Sequence, residues 1–263
     1  MNNEYVNIDR FKGFAELYDM NRPKSPTYVA TFLTQYLGYQ PQIVVDIGCG
    51  TGLSTFIWKD IADTVIGIEP NEDMLSYAIV KISNEDNIEF IKAFSDNTTL
   101  SHGVADIVTC SQSFHWMEPI STLREVNRIL KPGGIFAVYD CDWPPLVNPA
   151  LDTAYQELDE YADMTEVEIS DFKQYPKDKH LENIKNSGYF RFTREVVFAN
   201  TESCDATRYY NLALSQGGIQ VILKKNPLLI EKRLLEFKGL VDKFFELETL
   251  PIVFCYRMRL GVK

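Results

Sequence analysis

Long apolar runs are missing from this 263-residue chain. No stretch approaches the ~18 consecutive apolar residues of a membrane span. The opening residues, MNNEYVNIDR, are polar, so neither a signal sequence nor membrane attachment is expected, and the expected address is the cytoplasm. Cysteine pairs are missing as well. Cys49, Cys110, Cys141, Cys204 and Cys255 are scattered with no CxxC spacing, which gives no zinc motif and leaves buried free thiols as the expected state. His102 and His180 have no companions at ligand spacing, so no metal site is expected. Positive charge is scarce: 26 Lys and Arg stand against 37 Asp and Glu, for a net charge of -11. Such a surface repels phosphate backbones, which disfavours nucleic acid and leaves small or cationic ligands open.

The first half instead carries short apolar segments separated by helical patterns. IVVDI (43–47), TVIGIE (64–69), IEFIKA (88–93), DIVTC (106–110) and GIFAVYD (134–140) read as strands of a parallel sheet covered on both faces. Met74, Leu75, Ala78, Ile79 and Ile82 recur at helical spacing, as do Leu123, Val126, Ile129 and Leu130 before KPGG. A βαβαβ order follows, and open sheets of this kind bind ligands beyond the carboxyl ends of their strands. Later, an acidic helix is expected from Leu151 to about Ser170. YFRFTREVVFA (189–199) alternates like a strand with one exposed face, and PIVFCYRMRLG (251–261) is its expected antiparallel partner. Ile230, Leu234, Phe237, Val241 and Phe244 form a helical stripe between them. The acids Glu157, Asp159, Glu160, Asp163, Glu166 and Glu168 read as a solvated helix face, with steering of a cationic substrate as the alternative.

IVVDIGCGTGLST (43–55) carries the chemistry. Asp46, Gly48, Cys49, Gly50 and Gly52 fall where the first strand turns, and glycines there let backbone approach a ligand. A dinucleotide fingerprint needs its third glycine at position 53, which is Leu53. The phosphate loop of nucleoside triphosphatases fails because no Gly-Lys-Ser/Thr follows. Asp46 would repel a pyrophosphate but suits an ammonium group or its water, so the ligand implied is a nucleoside bearing a positive group. Glu69, at the end of the second strand, suits a pair of ribose hydroxyls, and Pro70 and Met74 suit a purine wall.

VVDIGCGTG, VIGIEPNEDML, ADIVTCSQSFHWM and EVNRILKPGGIFAVYD, in this order, resemble the successive motifs of a class I S-adenosylmethionine-dependent methyltransferase. Within that class the chain resembles the small-molecule, type 11 branch that includes trans-aconitate methyltransferase-like enzymes. The resemblance is strong over residues 40–140 and implies an α/β, Rossmann-like seven-stranded sheet with an antiparallel last strand, helices on both faces and helical cap segments. The corresponding division is 1–38 as N-terminal lid helices, 39–142 as the cofactor-binding core and 143–188 as a cap segment, then 189–202 as a core strand, 203–248 as a cap insertion and 249–263 as the final strand.

By the same likeness Tyr18 and Arg22, in FAELYDMNRPKSP, face the methionine end of S-adenosylmethionine, and Arg22 offers a planar fork to its carboxylate. Asp96 and Ser95 are candidates for the adenine edge, although this chain has Ala93-Phe94-Ser95 where many members have Gly-Asp-Ala. Ser111 and Gln112 are candidate contacts to the methionine portion. Methyl transfer needs an aligned nucleophile and a dry pocket rather than a covalent intermediate on the enzyme. His115 is either a base or, with Trp116, a pocket wall. Trp143, Arg208 and Tyr209 are further candidates for the substrate pocket, against packing or an exposed charged face.

The implied reaction is methyl transfer to O, N or C of a small molecule, yielding S-adenosylhomocysteine without a metal. Two alternatives stay open: a protein or RNA methyltransferase, and a noncatalytic S-adenosylmethionine-binding scaffold or regulator. A dehydrogenase is weakened by Leu53 and Asp46.

Overall fold

A computed structural model describes residues 7, 8, 10–82 and 86–263. Residues 1–6 and 9 of the expected lid therefore lie outside the described residues. The chain forms two compact units: one gathers residues 1–23, 141–173 and 198–256, the other 24–140, 174–197 and 257–263.

Strands β1 (Ile43–Ile47), β2 (Thr64–Ile68), β3 (Ile88–Ile91) and β4 (Ala105–Ser111) lie close to the expected segments. Together with β5 (Leu130–Leu146), β6 (Phe192–Cys204) and β7 (Leu250–Val262) they make one sheet in the order β3-β2-β1-β4-β5-β7-β6. The pairings β1 with β2 and β4, β2 with β3, and β4 with β5 are all parallel. β7 runs the other way: the Gly133 N–H donates to the Lys263 carbonyl at 3.1 Å and the Lys263 N–H to Gly134 at 3.0 Å. The chain steps outward from β1 through β2 to β3 and then crosses to β4 on the other flank. The carboxyl ends of β1 and β4 are thus a topological switch point, where such sheets bind ligands.

β5 is longer than the expected 134–140. Its register against β4 slips between Ala105 and Ile107, so that Leu130 and Ile135 flank the KPGG bulge. Beyond Asp140 the prolines of WPP, which bar a helix, sit in extended backbone.

Burial explains the local helices. α1 (Ala15–Asn21) and α2 (Thr27–Leu37) precede β1. In α3 (Glu72–Val80) the Asn71 side chain accepts the Met74 N–H at 3.0 Å, and Met74, Leu75 and Ala78 are buried. Ile79, expected on the same face, is exposed. α4 (Pro119–Ile129) buries Leu123, Val126 and Ile129 as the spacing predicts, and Leu130 beyond it is also buried.

The other unit holds α5 (Pro149–Ile169), α7 (Ala206–Leu214), α8 (Gly217–Lys225) and α9 (Glu231–Phe245), while α6 (His180–Asn186) belongs with β1 to β4. Tyr155, Tyr209, Phe237 and Phe245 form its aromatic core. The α9 stripe ends on Phe245 rather than Phe244, because Phe245 is the one that packs against Tyr209 in this core.

Candidate functional site

The loop after β1 is held from below. The N–H groups of Gly48 and Cys49 both donate to the Ile68 carbonyl, at 2.7 and 3.1 Å, tying the turn to the end of β2. Gly48 and Gly50 are in the left-handed region, at φ +70° and +56°, where side chains are strained. Their surroundings differ. A Cβ on Gly48 would meet Ser113 and Met117 at 2.6 Å, whereas one on Gly50 would meet nothing within 4 Å. Gly48 is closed by protein, and Gly50 faces open space.

Asp46 is fully buried, and its carboxylate is taken up by protein hydroxyls: Ser54 and Thr55 donate to its Oδ2 at 2.6 and 2.8 Å, and Thr109 to its Oδ1 at 2.9 Å. Burial raises its carboxyl group and these three bonds pull the other way. Asp46 therefore organises the loop through hydroxyls that the reading of the motif had left unassigned. The signal was present in the Ser54-Thr55 pair directly after the glycines.

Glu69 follows β2. Its Oε2 accepts the Gly50 N–H at 2.9 Å and its Oε1 the Asn71 N–H at 2.8 Å. Each oxygen keeps a lone pair for a further donor. Burial pushes Glu69 up to about 7 against those two bonds. Pro70 is half-buried; Met74 is 2 % exposed, so it belongs to the core rather than to an open purine wall.

Ser95 and Asp96 lie in a turn closed by the Asn97 N–H to the Phe94 carbonyl at 3.2 Å. Asp96 is exposed, and the Ser95 hydroxyl pairs with Thr122 at 2.9 Å. Ser111 ends β4, half-buried. Gln112 has φ +53°, and its N–H donates to Tyr139 at 2.9 Å, a left-handed conformation of the kind found at functional sites. Ser113, not singled out in the sequence, donates to the Ile47 carbonyl at 2.8 Å and fastens this turn to the glycine loop. Cys49 is buried, its thiol raised by burial and by Glu69.

Five other candidates belong to the other unit. The Arg22 guanidinium stands 5.0 Å from the Tyr18 ring and 4.8 Å from the Trp143 ring, and its Nη2 donates to Ser215 O at 3.0 Å and Gln216 Oε1 at 2.8 Å. Trp143 also stacks on Tyr155 at 6.0 Å. Arg208 and Tyr209 both have protein partners. Arg208 is ion-paired with Glu202 and donates to Ser203 O at 2.6 Å, so its charge is spent at the end of β6. Tyr209 is fully buried in the aromatic core.

His115 lies in the turn after β4 with Trp116 against it, ring centroids 4.7 Å apart. Burial pushes it down to about 4, with Lys177 adding and Asp140 opposing, so it is neutral at pH 7 and a weak base. Contrary to the expectation for His180, that residue has companions: the donor atoms of His115, Asp140 and His180 lie within 4.8 Å of one another, all buried. Spacing could not reveal this, because the three come from the β4 turn, the middle of β5 and the start of α6.

Residues 45–138 match the family described as "Methyltransferase domain". The probable S-adenosylmethionine-dependent methyltransferase CRG1 of Saccharomyces cerevisiae is 32 % identical over 146 residues, 53 % of this chain and 50 % of that protein. The putative methyltransferase YqeM of Bacillus subtilis is 30 % identical over 130 residues, 48 % of this chain and 53 % of that protein. The chain thus spans about half the length of these curated relatives. Among solved structures, a putative type II methyltransferase from Anaeromyxobacter dehalogenans shares the fold at a TM-score of 0.69 and 16 % identity, covering 92 % of this chain and 97 % of that one. The cyclopropane synthase MmaA2 of Mycobacterium tuberculosis does so at 0.58 and 16 %, covering 100 % and 99 %. The match over 45–138 thus falls on β1 to β5, the part of the sheet that carries the glycine loop, and the fold is the one those solved methyltransferase structures have.

Proposed function

We propose that the chain transfers a methyl group from S-adenosylmethionine to O, N or C of a small-molecule acceptor by direct displacement, as the motif resemblance to the type 11, trans-aconitate methyltransferase-like branch implies. The observation that carries the cofactor assignment is the pairing of Gly50 with Glu69: a backbone open to a ligand beside a buried carboxylate with unused lone pairs, at the switch point of the sheet. The cofactor supplies an electrophilic methyl group on a sulfonium. Glu69 holds the ribose hydroxyls, the Gly50 backbone within the Gly48–Gly52 loop lets the nucleoside approach, and Ser95 and Asp96 serve the adenine edge. Ser111 and Gln112 serve the methionine end. His115, neutral and buried, acts as a wall that excludes water rather than as a base.

The net charge of -11 supports a small acceptor over RNA. No helix among the described residues is long and apolar enough to cross a membrane, and a cytoplasmic location is part of the same proposal. The acceptor class is tested by incubating the full chain with methyl-labelled S-adenosylmethionine and separated cell fractions. Label is expected in the small-molecule fraction, and label confined to protein or RNA would overturn that assignment.

Glu69→Ala is expected to weaken S-adenosylhomocysteine binding by ~1.5 to 3 kcal/mol, the range of hydrogen bonds to a charged group; unchanged affinity would contradict the ribose role. Two hydroxyl donors favour the carboxylate, so affinity is expected to rise with pH through about 7 and then level off. Titration calorimetry on either side of that pH checks it, a flat profile being the contrary result. In the unliganded protein the sign is opposite. A folded pKa above the ordinary 4.5 means that Glu69's contribution to stability is fully present below pH 4.5 and lost as pH rises through about 7.

A further inference from the structure

We propose that His115, Asp140 and His180 form a binding site for one divalent first-row transition-metal ion, with zinc as the reference ion.

Three separate elements bring these side chains to one buried point, and the donor atoms there are unused. His115 Nδ1, Asp140 Oδ1 and both nitrogens of His180 make no hydrogen bond, although buried polar groups almost always do. His115 Nδ1 stands 3.5 Å from Asp140 Oδ1, and His180 Nε2 stands 3.5 Å from Asp140 Oδ2. Two donors each ~2.1 Å from a tetrahedral ion are ~3.4 Å apart, so each histidine stands at co-ligand spacing from one carboxylate oxygen, Oδ1 for His115 and Oδ2 for His180, and one donor from each of the three residues lies within 4.8 Å of the others.

The surroundings suit it. Arg259 Nη1 reaches Asp140 Oδ2 at 3.1 Å while its Nε reaches Glu195 Oε2 at 3.0 Å. A ligating carboxylate is commonly oriented by such an outer partner, and Glu195 is shared with Arg257 at 3.3 Å, so the two arginines and two acids are neutral in sum. Lys177, 4.0 Å from Asp140 Oδ1, is the opposing charge, but it is 34 % exposed and its flexible stem can carry the ammonium into water. The Phe114 ring packs edge-on to His180, centroids 5.0 Å apart, fixing the imidazole. Two imidazoles and one carboxylate select zinc, iron, nickel or cobalt over magnesium and calcium. Three protein ligands leave a fourth position for water.

Cobalt(II) is the probe, added to the full chain after treatment with a chelator. Visible d–d absorption saturating at about one equivalent, without thiolate charge-transfer bands, and displaced by zinc, is expected. His180→Phe keeps the ring against Phe114 and removes both nitrogens, and should weaken binding by more than ~100-fold. Absence of d–d bands in folded wild-type chain, thiolate bands, or unchanged affinity in His180→Phe would overturn the site. If that variant does not fold, His180→Gln takes its place, and the wild-type spectrum still decides between imidazole and thiolate ligands. None of these readouts depends on S-adenosylmethionine, so failure here leaves the methyltransferase proposal standing.

Discussion

Gly50→Val is expected to lower S-adenosylhomocysteine affinity by more than ~100-fold while the chain still folds, since a branched side chain would fill the space into which the nucleoside must come. A Cβ at position 50 meets nothing within 4 Å, so the first atom of the new side chain strikes no protein atom. Its stability cost is confined to the left-handed backbone at φ +56°, about 1 to 2 kcal/mol. Gly48→Ala makes the matched contrast. Its methyl group would collide with Ser113 and Met117 at 2.6 Å, so the loss should appear first in thermal stability. Calorimetric titration and thermal melts on both variants separate the effects. Retained affinity in Gly50→Val would refute the assignment of the loop as a cofactor cradle.

The largest stability effect is expected at Asp46. Asp46→Ala leaves the hydroxyls of Ser54, Thr55 and Thr109 buried beside a cavity with their shared acceptor gone. An orphaned buried polar group costs ~1 to 3 kcal/mol, and hydroxyls that rotate to other partners recover part of it, so a loss of ~3 kcal/mol or more is expected. Asp46→Asn should cost far less. Its amide oxygen can take the place of Oδ2 for Ser54 and Thr55, and its nitrogen can donate to the Thr109 oxygen, which is free to accept once the hydroxyl turns. Urea denaturation of both variants measures the difference. A loss under ~1 kcal/mol in Asp46→Ala would show that the three hydroxyls do not depend on the carboxylate.

The strands of the sheet were legible because parallel strands covered on both faces are written as short apolar blocks, and five such blocks fall on β1 to β5. The end of β5 was not, since WPP excludes a helix without stating how far the extended backbone continues. Helix phase was legible only to about one residue. Ile79 and Phe244 satisfy helical spacing as well as their neighbours do, yet Ile79 is exposed and Phe245 takes the place expected of Phe244 in the core. Packing partners made that choice, and they are distant in sequence.

The candidate site divides in the same way. The glycines and Glu69 could be located because their spacing from the strand ends is local. The hydroxyl partners of Asp46 were not legible, because one of them, Thr109, is brought beside β1 only by the Asp46 and Thr109 register of β4. Arg208 beside aromatic residues suggested an anion pocket, but Glu202 at the end of β6 neutralises it. His180 lies far along the chain from His115 and Asp140, and only the third dimension makes them neighbours.

Isothermal titration of the purified, cofactor-free chain with S-adenosylhomocysteine tests the central claim most directly. Micromolar, stoichiometric binding that is lost in Gly50→Val is the expected result, whereas a folded wild-type chain that binds none would contradict the cofactor site and the methyl transfer built on it.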